Sequence, residues 1–330
     1  MKEVYIIAEA GVNHNGNLSI AKKLIKKAAS IGANAIKFQT FIASEEISKF
    51  APKANYQKKS TNLSQLQMAT KLELNEKQHK QLLKYSKEMK IDFISSPFDL
   101  KSIDLLKKLK LPKIKIPSGE INNLPFLRKL GSLNKEIILS TGMSNIKEIK
   151  FAIDTLVKSG TKKNKISILH CNTEYPTPIE DINLNAMLTI QHEFKLEIGY
   201  SDHSILIETP IIAAALGATI IEKHFTLDKN MKGPDHKTSL EPFQFKKMID
   251  SIRKTEKILG SFDKKISKSE KKNIKIVRKS IVAIRNIKKG DLFTLKNIGI
   301  KRPGNGISPT KWDKIINSKA KKNYQSDELI

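Results

Sequence analysis

The sequence predicts an α/β fold: a closed (β/α)8 barrel followed by a small β-rich domain. Three observations carry this. Eight β-like runs alternate with amphipathic helix-like segments over about 260 residues, the count and length of such a barrel. The runs are rich in Ile and Val without clean alternation, as parallel strands buried on both faces should be. The turn after the first run reads A-G-V-N-H-N-G, where an open doubly wound sheet would want G-x-G-x-x-G.

The strands expected are Val4–Ala10, Ala35–Thr40, Asp92–Phe98, Lys113–Ser118, Glu136–Thr141, Ile166–Asn172, Glu197–Ser201 and Ile220–Phe225. Between them, Leu18–Ser30, Glu76–Met89 and Ile146–Ser159 carry apolar residues at helical spacing. One long excursion, Phe41 to Leu74, follows the second strand and is expected to fold over the mouth. Residues 1–260 form the expected barrel domain. Residues 261–275 are almost entirely Lys, Ser, Asn and Asp and read as a linker. Residues 276–330 form a second domain of short strands punctuated by Gly and Pro, marginal as a core by itself and expected to pack on something else.

Composition narrows the function. No apolar run reaches the ~18 residues of a membrane span, so no membrane partner is expected. Acidic Glu3 and Glu9 lie in an N-terminus that runs straight into a strand, which does not read as a signal peptide. The single cysteine, Cys171, excludes an internal disulfide and fits a reducing, cytoplasmic setting. The net charge of +27 raises the possibility of nucleic acid, yet only five of the 60 basic residues are arginine and aromatics make up 6%. Base readout and stacking need those residue types. The lysines are spread along polar helix faces such as Lys22, Lys23, Lys26 and Lys27, so no nucleic-acid partner is expected.

The polar residues that close the strands are more informative. They are Glu9, Lys37 and Gln39, Ser96 and Phe98, Lys115, Ser118 and Glu120, Ser140 and Thr141, then His170, Asn172, Thr173 and Tyr175. Asp202, His203, Glu222 and His224 complete the set. In a barrel all of these converge on the C-terminal rim, where the active site belongs. Two lysines in one mouth, Lys37 and Lys115, are costly to bury without anionic partners. Glu9 and Glu120 could supply structural salt bridges. Alternatively, the lysines with Ser118, Gly119, Ser140, Thr141 and Gly142 fit a small phosphorylated, carboxylated substrate.

Six of the seven histidines divide by position. His79 and His192 lie in polar helical segments and are expected to face solvent, while His14 and His170 read as core groups bonded to backbone. His203 and His224 terminate neighbouring strands and suit a divalent metal. No clear third protein ligand accompanies them, so exchangeable Mn2+, Mg2+ or Co2+ fits better than structural zinc.

The segments AEAGVNHNG, IKFQTF, FISSPFD, KIPSGEINNLP, ILSTGM, LHCNTEYPTP, GYSDHS, IEKHFTLDKNMKGPDH and KRPGNGISP, in this order, resemble the bacterial sialic acid synthases, most closely the N-acetylneuraminate branch. The resemblance runs from Ile6 to Leu329. It implies condensation of phosphoenolpyruvate with N-acetylmannosamine and water to N-acetylneuraminate and phosphate. A sister branch takes a diacetamido-trideoxy hexose and makes N,N'-diacetyllegionaminate. The resemblance also implies an antifreeze-like (SAF) C-terminal domain and a domain-swapped homodimer. By motif, His203 and His224 hold the metal, with Mn2+ the first expectation, and the metal polarises the sugar aldehyde. Lys37, Ser96, Lys115, Ser118, Ser140 and Thr173 correspond to the phosphoenolpyruvate side. Glu9 corresponds to a carboxylate at the reacting centre, beside the catalytic Lys37 and Lys115. Gln39, Phe98, Glu120, Tyr175 and Asp235 line the sugar side, and Arg302 reaches it from the partner subunit. Asn172-Thr173 stands where some relatives read Thr-Asn.

Overall fold

In a computed structural model the described residues are 3–51 and 64–330. They fall into two compact units, 1–260 and 261–330. In the first, β1 (Tyr5–Gly11), β2 (Ala35–Thr40), β3 (Asp92–Pro97), β4 (Lys113–Ile116), β5 (Glu136–Ser140), β6 (Ile166–Cys171), β7 (Glu197–Asp202) and β8 (Ile220–His224) form one sheet. Every pairing in it is parallel, in the order β3-β2-β1-β8-β7-β6-β5-β4. The two end strands, β3 and β4, lie against each other, so the sheet is a nearly closed TIM barrel. Each strand is within a residue or two of the sequence expectation. Buried Ile, Val and Leu on both faces dictate it locally.

Helix starts are set by side-chain caps. Asn17, Asn75, Asp99, Asn123 and Asn145 each accept from a backbone N–H in the first turn of the helix that follows. The helices bury one face, for example Ala21, Leu24, Ile25 and Ala28 of Leu18–Ser30, against the outside of the strands. Inside, Ile7, Ala35, Ile94, Ile138, Leu169 and Ile220 form a separate apolar floor.

That floor positions the site. Side chains two residues apart on a strand share a face. The residues two steps beyond the floor are therefore Glu9, Lys37, Ser96, Ser140, Cys171 and Glu222, all buried. Two steps further come Gly11, Gln39, Phe98, Gly142, Thr173 and His224. A polar layer thus stands on an apolar one.

Residues 52–63 of the long excursion lie outside the described residues. Its flanks pack beside the mouth: Phe41 and Ala43 cluster with Val12, Leu66, Ala69, Leu72 and Phe98. Gly16 approaches Lys71 so closely that a Cβ there would stand 2.3 Å from its carbonyl oxygen.

In the second unit, β9 (Ser280–Ala283) and β10 (Ile298–Lys301) pair antiparallel over a small core of Ile281, Ala283, Ile287, Phe293, Ile298 and Ala320. In the stretch read as linker, irregular chain ends at Ser267, and the helix Lys268–Val277 begins there and runs two residues beyond it. Packing does not fix this helix, since none of its residues is buried. Its start is local instead, a capping box between Ser267 and Glu270.

Candidate active site

Two buried ammonium groups meet two buried carboxylates at the barrel's centre. Lys37 Nζ lies 2.8 Å from Glu9 Oε1 and 2.9 Å from Glu222 Oε1. Lys115 Nζ lies 3.2 Å from the same Glu222 oxygen. The partner proposed from sequence beside Glu9 is therefore corrected: it is Glu222, not Glu120. Glu120 is half-buried at the rim, where its carboxylate accepts from Asn123 Nδ2 at 2.6 Å, and burial raises its pKa. The two lysines differ in consequence. Burial pushes both pKa values down, but Glu222 and Glu9 together outweigh it and raise that of Lys37. Lys115 shares one carboxylate oxygen with Lys37, so burial prevails and its pKa falls.

Around Lys115 the chain presents hydroxyls and close backbone. Ser96 and Ser140 are buried, and neither hydroxyl has a hydrogen-bond partner among the described residues. Glu222 Oε2 is also unpartnered, while Ser201 donates to Glu222 Oε1 at 2.8 Å. A Cβ on Gly142 would stand 2.5 Å from Thr173 Cγ2, 2.9 Å from Ser118 Oγ and 3.2 Å from Cys171 Sγ. Those three side chains thus converge on glycine backbone, whose N–H donates to Ser118 Oγ at 2.9 Å. Buried polar atoms left unpaired in a native site call for a ligand that pairs them.

Beside this lies the histidine pair. His203 and His224 rings are 5.4 Å apart between centroids, and His224 Nε2 is 3.6 Å from Glu9 Oε2. Ligand atoms of Glu9, His203 and His224 all lie within 4.8 Å of one another, and all three residues are buried. Glu9 is therefore the third candidate ligand that sequence reasoning found missing. The donor set, one carboxylate and two imidazoles, fits a divalent ion with open positions. His203 Nδ1–H donates to the Asn172 carbonyl, which leaves Nε2 unprotonated toward the site. Burial, with His224 adding to it, holds the His203 imidazole neutral, its pKa down at about 3. For Glu9, burial alone would raise the pKa, but His224, Lys37 and Lys115 hold it low.

The sugar-side expectations separate. Tyr175 stacks on His203, centroids 4.2 Å apart. Gly11 has φ +49, and a Cβ there would lie 3.6 Å from Asp235 and Gln39 and 3.7 Å from His224, so those three border one space. Burial raises the Asp235 pKa. Phe98 packs edge-on against Phe41. Arg302 lies in the second unit, exposed, on a turn whose Gly304 N–H donates to the Lys275 carbonyl at 2.8 Å.

Of the other histidines, His79 is a correction. It is fully buried, with Nε2 2.8 Å from Thr40 Oγ1. Its helix faces β2 there, which a polar segment concealed. His192 is exposed, while His170 Nε2 contacts the Ile182 carbonyl at 3.0 Å. Sequence reasoning placed Glu222 on the rim without a partner, and gave no role in the site to Ser201 or Cys171. The signal for Glu222 was available: two buried cations need two buried anions, and it shares a face of the last strand with His224, two residues on.

The NeuB family model matches residues 24–264 and the SAF domain model residues 278–330. The chain is 55% identical to the N,N'-diacetyllegionaminic acid synthase of Campylobacter jejuni, over 100% of this chain and 99% of that one. It is 42% identical to the Legionella pneumophila protein of the same name, over 99% and 93%. Among solved structures, the N-acetylneuraminic acid synthetase of Leptospira borgpetersenii, in complex with citrate, superposes with a TM-score of 0.74 at 34% identity, covering 83% of this chain and 90% of that one. With both domain models matched in order and the barrel mouth built as described, the chain belongs to the NeuB family of sialic acid synthases.

Proposed function

We propose that this enzyme condenses phosphoenolpyruvate with the open-chain form of an N-acetylated hexose and water, releasing phosphate and a nine-carbon 2-keto sugar acid. The observation that carries the reading is the juxtaposition of Lys37 and Lys115 with the unpaired hydroxyls of Ser96 and Ser140, beside Glu9, His203 and His224. A trianionic enol phosphate matches such a set of cations and donors.

Lys37, Lys115, Ser96, Ser118, Ser140 and Thr173 bind the phosphate and carboxylate and orient the enol. Gln39, Phe98, Glu120, Tyr175 and Asp235 hold the sugar so that its aldehyde carbon meets C3 of the enol. Carbon–carbon bond formation leaves positive charge on C2; water adds there and phosphate departs. Glu9 and Glu222 lie beside Lys37, where they set the charge of the ammonium groups throughout. A divalent ion, Mn2+ first and Mg2+ or Co2+ next, held by His203, His224 and Glu9, would supply Lewis acidity toward the aldehyde oxygen. Arg302 of a domain-swapped partner completes the sugar side.

Two sugars fit the reading, each with its own support. The resemblance of the motifs to the N-acetylneuraminate branch supports N-acetylmannosamine and hence N-acetylneuraminate. The 55% identity to a protein named N,N'-diacetyllegionaminic acid synthase favours a 2,4-diacetamido-trideoxy hexose. Phosphate release from phosphoenolpyruvate, measured with each sugar, decides between them. Turnover with neither sugar, in Mn2+, overturns the reading if both remain silent. Chelation should abolish turnover and Mn2+ restore it, and His203→Ala and His224→Ala should resemble the chelated enzyme.

A further inference from the structure

The step preceding each histidine holds a second, outward-facing ion pair. In the β7–β8 register Asp202 stands opposite Lys223, one residue before His203 and His224 respectively. Strand alternation turns both away from the mouth, toward the helix layer. Their side chains are 0% and 1% exposed. Lys223 Nζ donates to Asp202 Oδ2 and to the Ser204 carbonyl, both at 2.5 Å. Asp202 Oδ1 accepts from Ser204 N–H at 2.8 Å. Ser204 Oγ is in turn 3.3 Å from Thr209 Oγ1, in the helix Glu208–Ala215.

The residues on both sides of His203 are thus tied to one ammonium group, and that group belongs to the residue next to His224. A buried ion pair adds little net stability over apolar residues of the same volume. Here its geometric effect is specific: it locks the turn that carries one imidazole to the strand that carries the other. We propose that Asp202 and Lys223 are positioning residues that set the relative placement of His203 and His224, and through it the affinity for a divalent ion. The inference rests on the metal reading above.

The test is direct Mn2+ titration of the full-length protein, followed by the electron paramagnetic resonance of free Mn2+, well below the melting temperature. Three variants are compared: Lys223→Met, the double Asp202→Asn/Lys223→Met, and Arg253→Met. Arg253 holds Glu256 at 2.8 Å and the Val4 carbonyl at 2.9 Å, beside the start of β1, so its loss should lower stability alone. Lys223→Met and the double should each weaken Mn2+ binding about tenfold to a hundredfold, as loss of an outer partner does at metal sites. The double leaves no buried unpaired charge, so its melting temperature should recover while its affinity does not. If Lys223→Met fails to fold, the double carries the comparison. Affinity that follows melting temperature across all three, or stays within about twofold of wild type, makes the pair merely structural. Wild type that binds no Mn2+, or His224→Ala that binds it equally well, removes the metal reading itself and this inference with it.

Discussion

Tyr175 lies nearly flat on His203, with 28° between the ring planes, and its hydroxyl is 3.1 Å from His203 Nε2. The ring and the hydroxyl do separate things. Stacking orients the imidazole, and the hydroxyl donates to the Nε2 lone pair, the position that a bound metal would take. An aromatic pair and a buried hydrogen bond are together worth about 1–3 kcal/mol. Tyr175→Phe should therefore keep most of kcat/KM, and Tyr175→Ala should lose a further tenfold or so. Equal losses in both variants, by phosphate-release kinetics, would assign the whole effect to the hydroxyl.

Glu222 balances Lys37 and Lys115 through one oxygen. Glu222→Gln leaves two buried cations sharing Glu9. Breaking a buried pair costs about 3–5 kcal/mol, so the melting temperature should fall on the order of 10 °C. Phosphoenolpyruvate should then raise the variant's melting temperature by more than it raises that of wild type, because the anion replaces the lost charge. Equal shifts would mean that the anion does not meet these lysines.

His14 makes acid stability a test of the loop after β1. It is fully buried, its Nδ1 accepts from Gly16 N–H at 3.0 Å, and its Nε2 has no hydrogen-bond partner among the described residues. Burial, then His79 and His236, lowers its pKa from 6.5 to about 4. Between these values the unfolded chain binds a proton that the folded chain does not, so stability rises with pH through that window. It is lost as pH falls from about 6.5 to 4, by up to about 3 kcal/mol from this group. Urea unfolding at a series of pH values should show the slope, and His14→Gln should flatten it. An unchanged slope would place the acid sensitivity in other groups.

Arg302 is expected to act in trans. Lys37→Ala and Arg302→Ala, each inactive, are dissociated, mixed and reassociated. In a swapped dimer each heterodimer pairs one intact barrel with one intact Arg302, so random pairing restores about a quarter of wild-type sites. Inactivity of the mixture, with heterodimers shown to form, would place Arg302 over its own barrel.

The strands were legible because each is a local property: a short run of branched apolar residues ending in a polar one. The identity of the mouth followed, since strand alternation carries Glu9, Lys37, Ser96, Ser140 and His224 inward once a barrel is assumed. Charge partners were not legible in the same way. Glu120 and Glu222 are both glutamates near a strand end, and nothing in their neighbours says which one meets Lys115. His79 reads as polar surface because Lys80, Lys84 and Lys87 surround it, yet its helix turns it to Thr40.

By itself, then, the sequence determined the eight strands, the polar rim and the two histidines, because period and residue type act over a few positions. Closure of the barrel decided the rest. It set β8 beside both β1 and β7, and so brought Glu222 to Lys37, Glu9 to the histidines and Lys223 to Asp202. Those pairings join residues up to some two hundred positions apart, and electrostatics in a dry interior depends on such distances rather than on order along the chain.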